Sequence, residues 1–143
     1  TVYALLKLFC SEEELAERLT AAPFHKWLGL RLTGMDEDEI TIAVPWREEF
    51  VVNVDVGYTH GGILATLIDV AADYAIAAKI GRPVPTIDMR VDYHRAAMQG
   101  ELTVKAQALK LGGSFSTGEA QVYDEKGKLL ASGRGVYFTA PPK

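Results

Sequence analysis

The sequence predicts an α+β domain in which one long central helix is wrapped by a curled antiparallel sheet of about five to six strands. Two observations support this fold class. An apolar stretch from about Gly61 to Lys79 has the length of a helix and is closed by Gly81 and Pro83. At least four strand-like segments joined by short turns follow it, which favours antiparallel pairing. Such a sheet has one apolar face, and a buried helix can cover it.

The bulk composition fits one globular domain. The 143 residues are 48% hydrophobic and 24% charged, so we expect a single domain over 1–143, with an extension over 1–22 and a core over 24–139. A net charge of −4 argues against a nucleic-acid partner. No apolar run approaches the roughly 18 residues that a membrane span needs. The one cysteine, Cys10, excludes an internal disulfide and fits the cytoplasm.

The first third of the chain predicts short helices and two strands. The start, TVYALLKLFC, lacks the features of a signal peptide, and we expect a short strand or helix there. The capping box Ser11-Glu12-Glu13-Glu14 predicts a short N-terminal helix over about 12–20. PFHKWLGL indicates a helical turn. Alternating apolar residues predict strands over Leu30–Met35 and Glu39–Pro45.

The last third reads as strand throughout. TIDMRVDYH alternates strictly and predicts a strand with Ile87 and Met89 on one face and Thr86 and Asp88 on the other. Further strands are predicted at ELTVKAQALKL, SFSTGEAQVY and KLLASGRGVYF. Gly112-Gly113 is typical of a two-residue hairpin turn between two of them. Because one helix cannot cover six strands and also hide its own apolar sides, we expect part of the surface to be buried in a dimer.

The long helix carries an unusual polar stripe. Thr66, Asp69 and Asp73 are spaced by three and four residues and share one face with Gly62. Each aspartate could simply touch solvent along a seam, and we favour this interpretation for Asp73. Asp69 lies deeper in the apolar run, where lost hydration would raise the pKa of a carboxyl and make it a better general base near neutral pH.

The start of the helix, HGG, suggests a second functional element. The first amides of a helix lack intrahelical partners, and Gly61 and Gly62 have no side chains to keep a ligand oxygen away. The helix dipole favours negative charge there, so the site could hold an oxyanion. Alternatively, the glycines only permit a tight entry into the helix.

The distance between these two elements argues for a site shared by two chains. Gly61 and Asp69 are eight residues apart, about 12 Å along a helix axis. They cannot act on the same carbonyl within one chain. Two such helices running antiparallel across a two-fold axis would bring Asp69 of one chain near Gly61 of the other.

Four stretches resemble a known family: GYTHGGILATLIDVAADYA, PTIDMRVDYHRAA, GELTVKAQALKLG and GKLLASGRGVYF. Over about 24–139 the chain is similar to the hotdog-fold acyl-CoA thioesterases of the phenylacetate-degradation (PaaI-like) type. The resemblance implies a hotdog fold and hydrolysis of an acyl-CoA to free acid and CoA. It implies no cofactor other than the CoA of the substrate. It also implies a homodimer, or a tetramer formed from two dimers, with the site at the dimer interface.

The resemblance assigns roles to individual residues. Asp69 matches the carboxylate that activates water or attacks the thioester, and Gly61 matches the glycine whose amide polarises the carbonyl. His60 matches the histidine that shapes the site, and Thr86 matches a Thr or Ser that positions water or substrate. The family often has an asparagine six positions before the histidine, whereas this chain has Asn53 one residue earlier still. Asn53 either fills that role from a longer loop or the role is missing.

The basic residues and the overall function each allow more than one interpretation. Arg90, Arg95 and Lys110 are candidates for the phosphates of CoA, or they are ordinary solvated charges. The histidines lack metal-ligand spacing, so we expect no metal site. Two other functions fit the residues: an acyl-CoA binding or sensing domain, and a hydroxyacyl-thioester dehydratase that uses His60 and Asp69.

Overall fold

The computed structural model describes residues 10–142, so the segment predicted for the first nine residues lies outside the described part. One long helix packs against the inner face of a six-stranded sheet. The helices are α1 (Glu12–Ala21), α2 (Pro23–Leu28) and α3 (Gly61–Ile80), with a short 3-10 helix at Glu48–Phe50. The strands are β1 (Arg31–Met35), β2 (Ile40–Val44), β3 (Thr86–Tyr93), β4 (Leu102–Lys110), β5 (Phe115–Tyr123) and β6 (Leu129–Phe138). The predicted architecture is confirmed.

The helix ends follow their local sequence. Ser11 caps α1: its Oγ accepts from the Glu14 N–H at 3.1 Å, and Glu14 accepts from the Ser11 N–H in return. α2 begins at Pro23 and is closed by Gly29, which has a φ of 72°. None of the helices in the described residues has the length and hydropathy needed to cross a bilayer.

The sheet has the order β1-β2-β4-β5-β6-β3, and every neighbouring pair is antiparallel. The inner faces of the central strands and the buried side of α3 form one core, which includes Leu67, Ile68, Val104 and Val122. β1 and β3 form the two edges of the sheet. The start and the middle of α3 both lie near β3, whose Tyr93 and Thr86 donate to Gly61 and Asp69.

The strict alternation predicted for β3 is wrong at its first residues. Thr86 pairs with Tyr137, and Asp88 pairs with the preceding residue of β6, so Ile87 is an extra residue in a bulge. The bulge turns Thr86 towards α3, whereas Asp88 lies on the outer face. Without the bulge, the side chains of Thr86 and Asp88 would both point away from α3.

The predicted two-residue turn at Gly112-Gly113 is also wrong in detail. β4 ends at Lys110 and β5 begins at Phe115, so the connection is longer, and neither glycine has a positive φ. Gly112 is needed for a different reason: a Cβ there would lie 2.3 Å from the carbonyl oxygen of Phe115. Its N–H donates to Ser116 and its carbonyl accepts from Thr139, which ties the connection to the end of β6.

Candidate active site

The Asp69 carboxylate is held in place from two strands. Its Oδ1 accepts a hydrogen bond from the Thr86 hydroxyl at 2.7 Å and another from the Tyr137 hydroxyl at 3.1 Å. The side chain is half-buried. Both donors reach the same oxygen, and within residues 10–142 no group donates to Oδ2. Asp69 is therefore fixed in orientation and keeps one oxygen for a proton or an electrophile.

Tyr137 is a site residue that sequence reasoning missed. It is fully buried, and its hydroxyl lies 2.9 Å from the Asp69 carbonyl as well as close to the carboxylate. Burial and the negative charge of Asp69 raise the pKa of the phenol, so it stays a donor. Gly135 makes room for the ring, since a Cβ there would lie 2.5 Å from it. Tyr137 reaches Asp69 because it pairs with Thr86 in the sheet. This pairing joins segments far apart in the chain, so the local sequence around Tyr137 does not predict it.

The start of α3 leaves one amide available. His60 is the N-cap, and its Nδ1 accepts from the Gly62 N–H at 3.0 Å. The Gly62 amide is thus already engaged, and His60 has the local role of shaping the helix start. The Gly61 N–H has no acceptor within the described residues. Of the two glycine amides, Gly61 is the one that could polarise a carbonyl.

Strand β3 connects the two ends of the candidate site. At its first residue, Thr86 donates to Asp69. At its last residue, Tyr93 donates from its hydroxyl to the Gly61 carbonyl at 2.8 Å. The strand therefore runs along α3 from the carboxylate to the helix start, and eight residues of the helix separate the two groups within one chain.

Asn53 is occupied by its own loop. Its side-chain oxygen accepts from the N–H groups of Asp55 and Val56 at 3.0 and 3.2 Å, and its carbonyl accepts from the Gly57 N–H at 2.7 Å. These bonds form a tight turn before the helix. Because the side-chain oxygen is engaged locally, it has no direct contact with Asp69 or Gly61.

The basic candidates are not gathered at Asp69. Arg90 lies on the outer face of the sheet, where it is 82% exposed and forms an ion pair with Asp92 at 3.3 Å. Lys110 is exposed at the far end of β4, and Arg95 is exposed just after β3. Within one chain these charges lie apart from the carboxylate, so the structure does not bring them together as a phosphate site.

Asp73 is half-buried, like Asp69, and its carboxylate also has a backbone partner. Its Oδ1 accepts from the Val84 N–H at 2.9 Å, in the segment that leads into β3. Burial raises the pKa of this carboxyl to about 7, and the charge of Asp69 contributes in the same direction. Within residues 10–142 no group of three or more His, Cys, Asp or Glu side chains is placed to bind a metal ion.

The fold and the carboxylate on the central helix are those expected of a hotdog-fold thioesterase. Comparison with known proteins gives the same class. The family model of the thioesterase superfamily matches residues 56–131, so the chain belongs to that superfamily. The predicted hotdog fold is confirmed, and the protein is a thioesterase.

The chain is also similar to named thioesterases and to a solved structure of a thioesterase-superfamily protein. The chain is 24% identical over 132 residues to the medium/long-chain acyl-CoA thioesterase YigI of Escherichia coli K12, covering 81% of this chain and 84% of that protein. It is 33% identical over 82 residues to human acyl-coenzyme A thioesterase 13, covering 55% and 59%. A crystal structure of a thioesterase-superfamily protein superposes with a TM-score of 0.86 at 45% identity, covering 88% of this chain and 96% of that one.

Proposed function

We propose that this protein hydrolyses acyl-CoA thioesters to the free acid and CoA, as a member of the PaaI-like group. The observation that carries the proposal is the Asp69 carboxylate, oriented through one oxygen by Thr86 and Tyr137 and open at the other. Similarity to two relatives named as acyl-CoA thioesterases supports acyl-CoA as the substrate class.

Asp69 supplies the base or the nucleophile in this proposal. As a base, its open oxygen takes a proton from water while the water oxygen bonds to the thioester carbon. The carbon–sulfur bond then breaks, and the thiolate of CoA takes a proton. As a nucleophile, the same oxygen attacks the carbon directly, and water hydrolyses the resulting anhydride. Both routes use the orientation set by Thr86 and Tyr137.

Gly61 stabilises the charge that develops on the carbonyl oxygen. Its N–H is free within the described residues and lies in the first turn of α3, where the helix dipole favours negative charge. His60 holds the neighbouring amide of Gly62 and so leaves the Gly61 amide as the donor. Gly62 therefore contributes indirectly: its amide holds the capping side chain of His60 and does not contact the substrate.

The geometry of β3 supports a site shared between two subunits. Thr86 marks the Asp69 end of this edge strand, and Tyr93 marks the Gly61 end. Antiparallel pairing of β3 with the same strand of a second chain would place the Thr86 end of one strand beside the Tyr93 end of the other. Asp69 of each chain would then face Gly61 of its partner, which resolves the separation of about 12 Å along the helix.

The exposed surface of β3 also favours a homodimer. This strand is a sheet edge, and Ile87 and Tyr93 are 56% and 54% exposed on it. An unpaired apolar edge is a template for pairing with another strand. We therefore propose a homodimer through β3, and the tetramer of two such dimers stays a prediction.

A panel of acyl-CoA substrates tests the proposal. The panel contains straight-chain acyl-CoAs of increasing length and phenylacetyl-CoA, and a thiol reagent reports the release of free CoA. We expect turnover with at least one substrate and a loss of at least about a hundredfold in kcat for Asp69→Asn. Asp38→Asn is the matched control, because Asp38 is exposed on the turn between β1 and β2 and should keep wild-type turnover.

Other outcomes of the same assay favour other functions. Tight binding of acyl-CoA without thiol release would indicate a sensing domain. Loss of water from a hydroxyacyl-CoA with the thioester intact would indicate a dehydratase. Full turnover in Asp69→Asn would remove Asp69 from the mechanism and overturn the proposal.

A further inference from the structure

Asp73 is a half-buried titratable group that the proposed mechanism leaves without a role. It lies on α3 one turn beyond Asp69, and the described hydrogen bond of its side chain goes to the backbone N–H of Val84. That bond joins the middle of the helix to the segment that becomes β3. Thr86, the residue that holds Asp69, follows Val84 by two positions.

Arginine side chains hold the first part of the segment between α3 and β3: Arg18 donates to the Gly81 carbonyl, and Arg82 donates to the carbonyls of Thr139 and Ala140. The residues from Pro83 to Pro85 depend on their backbone. Pro83 and Pro85 carry no N–H, so Val84 provides the only backbone donor of the three residues. Val84 is 5% exposed, and its donor is satisfied by Asp73. On the opposite side, the Pro85 carbonyl accepts from the Phe138 N–H at 2.9 Å. The start of β3 is thus fixed by Asp73 from the helix and by β6 from the sheet.

We propose that Asp73 is a positioning residue for the thioesterase reaction, which places the Thr86 hydroxyl on Asp69 by holding the Val84 backbone. This inference rests on the proposed role of Asp69. Asp73 touches neither substrate nor reacting atoms, and its effect passes through the backbone of residues 84–86. Tyr137 lies next to the same pair of carboxylates and holds Asp69 from β6, so the two strands act on the carboxylate from two directions.

The proposal predicts a particular pattern of kinetic effects. Asp73→Leu introduces an apolar side chain that cannot accept the Val84 bond, whereas Asp73→Asn can still accept it through Oδ1. We expect Asp73→Leu to lower kcat about tenfold with KM changed less than about twofold, as Thr86→Val does. Asp73→Asn should restore most of the lost kcat. The double variant Asp73→Leu/Thr86→Val should be no worse than Thr86→Val alone, because both changes break the same interaction.

A second measurement does not depend on turnover. Hydrogen exchange of the amides of Val84 and of residues 86–88 should become at least about tenfold faster in Asp73→Leu and stay near wild type in Asp73→Asn. Exchange in β4 and β5 should be unchanged. If Asp73→Leu does not fold, Asp73→Ala is used for both measurements.

The outcomes separate this role from the proposed function. An inactive Asp69→Asn together with unchanged kcat and unchanged exchange in Asp73→Leu would overturn the role of Asp73 alone. If the effects of Asp73→Leu and Thr86→Val on kcat multiply in the double variant, the two residues contribute independently. That result would also overturn the role of Asp73 alone. Full turnover of Asp69→Asn would overturn the proposed function and this role with it.

Discussion

Two carboxylates one helical turn apart have different surroundings in this protein, and the difference comes from the strands that pack on α3. Asp69 meets two hydroxyl donors, from Thr86 and Tyr137, and remains half-buried. Asp73 meets one backbone donor, and burial raises the pKa of its carboxyl to about 7. The sequence places Asp69 deeper in the apolar run than Asp73, but the hydrogen-bond partners of the two carboxylates depend on the tertiary structure.

The pKa of Asp73 predicts a pH-dependent stability. Because the folded pKa of about 7 lies above the ordinary aspartate pKa of 3.8, the folded state keeps a proton that the unfolded state releases between these pH values. The free energy of unfolding should therefore fall as pH rises from about 4 to about 7, and change little above that range. At about 1.4 kcal/mol per pKa unit, the effect is at most about 4 kcal/mol. Asp73→Asn should remove this part of the dependence.

Urea unfolding at a series of pH values measures this effect. The gap in unfolding free energy between Asp73→Asn and wild type should widen in favour of the variant as pH rises through the window. Asp38→Asn serves as the control, since Asp38 is exposed. Parallel curves for Asp73→Asn and wild type would show that this carboxyl does not titrate between the two states in the expected range.

Tyr137→Phe tests the support of Asp69 from β6. The change removes one hydroxyl that contacts both the carboxylate and the carbonyl of Asp69, with little change in volume. We expect a loss of about 1–3 kcal/mol in unfolding free energy and about a tenfold loss in kcat, because the hydroxyl donates to a charged group. Tyr123→Phe is the matched control, because its hydroxyl has no partner in the described residues. Equal stability and kcat in the two variants would contradict the role of Tyr137.

At the level of elements, β3 depends on close contacts with both β6 and α3. A Cβ at Gly133 would lie 2.6 Å from the Arg90 carbonyl oxygen and 2.8 Å from a methyl group of Ile68. Gly133 therefore lets β6, β3 and α3 approach one another at the point where the site is assembled. The bulge at Ile87 then turns Thr86 onto the helix.

Gly133→Ala should separate these elements. The added methyl group has a backbone atom on one side and a buried side chain on the other, so neither can move cheaply, and we expect a loss of about 1–3 kcal/mol. The midpoint of urea unfolding reports the change, and kcat should fall because Thr86 shifts with β3. In the control Gly113→Ala, the new Cβ meets nothing within 4 Å and the φ is not positive. Matching midpoints for the two variants would show that the close approach at Gly133 is not required.

The sequence predicts the helices and strands more accurately than it predicts the contacts between them. Alternation and caps place α3 and the strands within a residue or two, because those signals are local. The bulge at Ile87 depends on how β3 aligns with β6, two segments far apart in the chain. The same long-range pairing brings Tyr137 to Asp69, and no local pattern contains it. Asp69 and Gly61 could be singled out from their positions in the helix alone, whereas the hydrogen bond of Asp73 depends on the segment around Val84.

At the scale of the whole molecule, the proposed mechanism takes its two groups from opposite ends of β3. The sheet order leaves this strand at an edge, with the Asp69 end and the Gly61 end both beside it. Within one chain, the helix between Gly61 and Asp69 keeps the two groups too far apart to act on the same carbonyl. Pairing of β3 with the same strand of a second chain would bring Asp69 and Gly61 together without any change inside the subunit.

A heterodimer with one defect in each subunit tests the shared site directly. One chain carries Asp69→Ala, and the other carries Gly61→Val, whose side chain crowds the Tyr93 ring and blocks the amide. Each variant alone should be inactive as a homodimer. Two different affinity tags allow the mixed dimer to be purified after co-expression. If each site takes Asp69 from one chain and Gly61 from the other, the mixed dimer has one intact site and should show about half the wild-type kcat per dimer. Two sites contained within single chains would both be damaged, so a mixed dimer as inactive as its parents would refute the shared arrangement, provided that thermal melts show all three dimers to be folded.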